Sequence, residues 1–159
     1  MENSRDDVTN TSIHHGGTSM KVLLIANEPI SADRVRATLG DTTDDAEIMV
    51  IAPALHQSAL RFWLSDSDEA MQRAERIQRA TVEDLGHKGL HAHGGIGEGN
   101  PVTAVRDALH TFPADRIVLF ARPASERRYA EAIDAEALGE RFGLPVQRAD
   151  RLTPSLSEI

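Results

Sequence analysis

Apolar positions along the chain fall into short runs separated by polar, helix-period segments. Lys21–Ala26 (KVLLIA), Ile48–Ala52 and Ile117–Phe120 are nearly continuous apolar runs, the pattern of strands covered on both faces. Between them the spacing changes to three and four. Ser31 caps a helix that runs to Leu39 and stops at Gly40. Ser65–Asp68 cap a longer one with Met71, Ala74, Ile77, Thr81 and Leu85 inward, ended by Gly86. Asn100 and Pro101 open a third, with Val102, Val105, Leu109 and Phe112 on its apolar face and Pro113 at its end. A fourth spans 126–142, with Tyr129, Ile133, Ala137 and Phe142 inward and Gly143 after it. A weaker strand falls at 88–93, and a last one begins at Leu144-Pro145-Val146. Strand and helix in alternation predict an α/β fold: an open, doubly wound, five-stranded parallel sheet with helices on both faces.

Composition narrows this picture. The chain has 159 residues, of which 40% are hydrophobic. That suits one domain, over 21–150, with polar tails at 1–19 and 151–159. Met20 is an alternative start, since the domain begins just after it. No apolar run is long enough to span a membrane, and the polar beginning lacks a signal-peptide centre, so a cytoplasmic protein is expected. Cysteine is absent, which removes disulfides, thiolate catalysis and cysteine-based zinc sites. A net charge of −8 argues against nucleic acid and anionic membrane as partners. Lys21 and Lys88 are the only lysines. The arginine-rich, lysine-poor balance reads more simply as GC-rich coding than as function.

In such a sheet, ligands bind beyond the C-terminal strand ends where strand order reverses. The segments expected there are Ala26-Asn27-Glu28, Gly94–Asn100 and Ala121-Arg122-Pro123. Within them Ala26, Asn27, Gly97, Gly99, Ala121 and Arg122 are the candidate ligand residues. Gly94, Gly95, Gly97 and Gly99 let backbone N–H groups approach an anion ahead of a helix N-terminus. Arg122, Arg127 and Arg128 add positive charge. The spacing matches neither G-x-x-x-x-G-K-[ST] nor a strict G-x-G-x-x-G, and G-x-S-x-G is absent. His91 and His93 share one strand face, yet no third ligand lies near them in sequence, so half-exposed edge histidines are preferred to a metal pair. His14 and His15 on the tail, and Trp63 as a stacking platform, are likewise read as incidental.

The order of elements and four phrases resemble the universal stress protein family. These are K-V-L-L-I-A-N at the first strand, G-E-G-N-P-V-T-A-V-R-D-A-L before the central helix, A-D-R-I-V-L-F at the fourth strand and F-G-L-P-V near the end. The resemblance covers about residues 21–150. It implies a stress-related regulatory or binding protein, a homodimer, and ATP or AMP as candidate ligand. Asn27 stands where the ATP-binding branch has an aspartate. Phe120 and Pro123 stand at its first two glycines, and Ile133-Asp134 at its Gly-Ser/Thr. The phosphate cradle is therefore expected to be dismantled, as in the branch without ATP. The last strand, Val146-Gln147-Arg148-Ala149-Asp150, is also more polar than the family's dimer strand. A non-catalytic protein holding a small anion or nucleotide is the expectation. The alternatives are a nucleotidyl transferase or hydrolase of the same α/β class, and an interaction module without ligand.

Overall fold

The computed structural model describes residues 19–53, 67–95, 101–120 and 135–149. Five strands are present: β1 (Lys21–Ala26), β2 (Glu47–Ile51), β3 (His91–Gly94), β4 (Arg116–Phe120) and β5 (Val146–Ala149). They form one parallel sheet in the order β3-β2-β1-β4-β5. Helices are α1 (Ala32–Leu39), α2 (Ser67–His87), α3 (Pro101–Thr111) and α4 (Ala135–Phe142), with a 3-10 turn at Gly40–Thr42. The strand order reverses between β1 and β4, the expected switch point of a doubly wound sheet.

Alternation along the strands divides the core into two layers. Val22, Leu24 and Ala26 of β1 pack with Val35 and Leu39 of α1 and Leu85 of α2. Leu23 and Ile25 pack on the other side with Ala104, Val105 and Ala108 of α3 and Leu138 of α4. Residues 126–134 of the expected fourth helix, Tyr129 and Ile133 among them, lie outside the described residues; among those described, the helix phases differ from expectation at two places. Met71 is 54% exposed, and Ala70, one residue earlier, is buried. In α4, Ala137 is exposed and Leu138 takes the inward position.

The third strand also starts later than the apolar pattern implied, because α2 continues through Gly86 to His87. The stop is Gly89, at φ +81°, which only glycine adopts cheaply. Leu90 N–H donates to Leu85 O at 2.9 Å and Gly89 N–H to Gly86 O at 3.1 Å. This paired closure of a helix end puts the two leucines together, and both are core residues. Among the described residues, no helix is long and apolar enough to cross a membrane.

Candidate functional site

The C-terminal ends of β1 and β4 lie side by side, with Ala26 in register with Phe120. The Ala26 side chain is spent in the core against α1 and α2. Asn27 follows it. Its side chain is only 8% exposed, and among the described residues neither its Nδ2 nor its Oδ1 has a hydrogen-bond partner. Burying an unsatisfied polar group costs about 1–3 kcal/mol. The hydrophobic layers alone do not explain why such a side chain stands there. Gly97, Gly99, Ala121 and Arg122 lie outside the described residues, as do Arg127, Arg128, Trp63, Pro123 and Asp134.

Asn27 begins the turn into α1, and α2 holds that turn in place. Ile30 N–H donates to Thr81 Oγ1 at 3.1 Å. Ala32 N–H, in the first turn of α1, donates to Asp84 Oδ2 at 2.8 Å. Ser31 caps the same helix through its side chain, which accepts from Arg34 N–H at 3.4 Å. One turn earlier on α2, Gln78 Nε2 donates to Val50 O at 3.2 Å and also to Gly95 O. Gln78, Thr81 and Asp84 thus recur at a spacing of three along α2 and grip backbone on two sides of the strand ends. Thr81 falls on the inward face with Ile77 and Leu85, as expected, and is fully buried; Gln78 and Asp84, half-buried beside it, are the part that the hydrophobic pattern alone passes over.

Two glycines expected to cradle an anion have other work. A side chain on Gly94 would place Cβ 2.6 Å from Gln78 Nε2. On Gly95 it would lie 2.9 Å from Met49 Sδ and 3.0 Å from Ile51 Cγ2. The Gly95 N–H donates to Val50 O at 2.9 Å, so it is committed to the sheet and is no anion donor. Side chains packed close against these two positions, the flexible Gln78 at Gly94 and Met49 with Ile51 at Gly95, are what favours glycine here.

Arg34 was not singled out by its place in the sequence. Its Nη1 donates to Glu28 Oε1 at 2.9 Å, the two side chains being 26% and 14% exposed. Its guanidinium carbon sits 5.2 Å from the Phe120 ring centroid, a cation–π contact. Its Nη2 is buried and, among the described residues, has no partner. The arrangement offers an amide donor, an amide acceptor and a guanidinium edge at one pair of strand ends. This is hydrogen-bonding chemistry; among the described residues no nucleophile–base pair stands there.

The histidines of β3 lie at the opposite end of the sheet. His93 meets the Phe112 ring edge-on, with centroids 5.4 Å apart. Both histidines line an open hollow of about 580 Å³ with Asp44, Asp45 and Glu47. Among the described residues, no group of three or more His, Asp or Glu is arranged to hold a metal ion.

No protein-family model matches the sequence, and no curated protein matches it either. Solved structures do. One is the universal stress protein from Archaeoglobus fulgidus, with a TM-score of 0.53 and 15% identity, covering 81% of this chain and 92% of that one. Another is a universal stress protein family protein from Arabidopsis thaliana with AMP bound. Its TM-score is 0.52 and its identity 16%, with 84% of this chain and 93% of that one covered. At such identities the likeness is one of fold. The chain has the universal stress protein fold: a five-stranded parallel α/β sheet with its switch point at Asn27 and Phe120.

Proposed function

We propose that this chain is a non-catalytic, cytoplasmic binding protein of the universal stress protein kind. It holds a small nucleotide-class ligand beyond the C-terminal ends of β1 and β4. The observation that carries this reading is Asn27, a buried carboxamide at the switch point with no partner among the described residues. A ligand edge with one donor and one acceptor satisfies it. The AMP of the Arabidopsis protein gives a candidate class on the same fold. The sequence lacks the usual phosphate glycines, so a normal ATP cradle is not part of the reading. A homodimer is, and light scattering checks it.

The test is thermal unfolding of nucleotide-stripped protein with and without ATP, ADP, AMP and cyclic nucleotides. At about 100 times its dissociation constant a ligand adds about 2.7 kcal/mol, which moves the midpoint by roughly 5–10 °C for a chain of this size. A shift with any of them that Asn27→Ala abolishes supports the reading. No shift with any nucleotide overturns it. Nucleotide turnover that Asn27→Ala also removes would replace the binding protein with an enzyme.

A further inference from the structure

Arg34 is held on two sides and unused on a third. Phe120 lies under the guanidinium plane, and Glu28 takes the Nη1 edge. Nη2 stays buried without a partner among the described residues. A guanidinium has only N–H donors and no acceptor, so Nη2 is satisfied only by an acceptor brought to it. Glu28 directly follows Asn27, and Phe120 is in register with Ala26, so the guanidinium and the Asn27 carboxamide stand at the same two strand ends. Arginine edges of this kind pair with phosphate or carboxylate oxygens.

The charge at these ends sets what fits. Glu28 offsets the Arg34 charge, and Asn27 is neutral where the resembling family has an acid. A phosphate brings about −1.5 to −2 at neutral pH, a charge that an uncharged nucleoside does not carry. We infer that Arg34 binds a phosphate of the ligand through this free edge, so that these strand ends select a nucleotide over the uncharged nucleoside. This rests on the nucleotide-binding reading above and adds the residue that discriminates.

Calorimetric titration of adenosine, AMP and ATP into the full chain tests it, with Arg34→Met, Arg34→Lys and Glu28→Gln beside the unaltered protein. Methionine keeps apolar contact with Phe120 and removes the charge. Arg34→Met is expected to weaken AMP about 10- to 100-fold, the range of a charge-assisted hydrogen bond, and to leave adenosine unchanged. Arg34→Lys is expected to recover part of the loss. Glu28→Gln is expected to tighten AMP, because it removes a competing negative charge, which a purely structural role for the ion pair would not do. Equal AMP affinity in Arg34→Met and the unaltered protein, or adenosine binding as tightly as AMP, overturns the inference and leaves the binding reading standing. Failure of all three ligands to bind the unaltered protein overturns the binding reading itself, and this inference with it.

Discussion

The two ends of one sheet are built to different standards. At the N-terminal end backbone and side chain close on each other. Lys21 N–H donates to Asp115 Oδ2 at 2.8 Å, Asp115 N–H returns to Lys21 O at 2.7 Å, and Glu47 N–H reaches Met20 O at 2.8 Å. The carboxylates and histidines there face an open hollow and water. At the C-terminal end, among the described residues, lie the three buried side-chain atoms without partners: both polar atoms of Asn27 and Nη2 of Arg34. The strands are the same, so the difference lies in the loops. Among the described residues, one end satisfies its polar groups and the other leaves three unmade, and it is on that second end that the proposed ligand site is placed.

The comparison can be broken most severely at Thr81. Thr81→Val keeps the shape but leaves the buried Ile30 N–H without an acceptor. A loss of about 1–3 kcal/mol is expected, read as a midpoint drop of about 3–9 °C. An unchanged midpoint would show that α2 does not grip the turn. Gly95→Ala comes next, at about 1–2 kcal/mol. Its new methyl meets Met49 and Ile51, and the methionine side chain yields in part; denaturant titration measures the cost. Asn27→Leu has the opposite sign. Removing an unsatisfied buried amide is expected to stabilise the free protein by about 1 kcal/mol and to abolish the nucleotide-induced shift. A fall in stability would mean that Asn27 is partnered after all. His91→Ala, at the exposed N-terminal hollow, is expected to change stability by less than about 0.5 kcal/mol and to leave nucleotide shifts intact.

Much of the scaffold was legible in residue order. The run Lys21–Ala26 is β1 to the residue, and Ser31, Leu39 and Gly40 bound α1 as their chemistry requires. These features are local, set by burial on both faces and by capping. Helix phase was less so. Met71 and Ala70 differ by one step of about 100°, and the larger apolar side chain was mistaken for the inward one. Asn27 was legible as a position, through the switch-point rule, but its lack of partners among the described residues is a fact of packing. Arg34 carried no signal, because an arginine in a first helical turn looks like any solvated charge. Its meaning comes from Phe120, which lies 86 positions further on and meets it only in the folded chain.

The strand order has a consequence for how the protein is made. β1 is central, and its two neighbours arrive at very different times. Val22 pairs with Ile48 on one side and with Arg116 on the other. Synthesis at about 5–20 residues per second supplies the first partner within a few seconds. The second, 94 positions on, comes only after about 5–20 s. During that interval the most apolar strand of the domain has one unpaired edge. Unpaired apolar edges recruit other strands, so the nascent chain is most exposed to aggregation between emergence of β1 and emergence of β4.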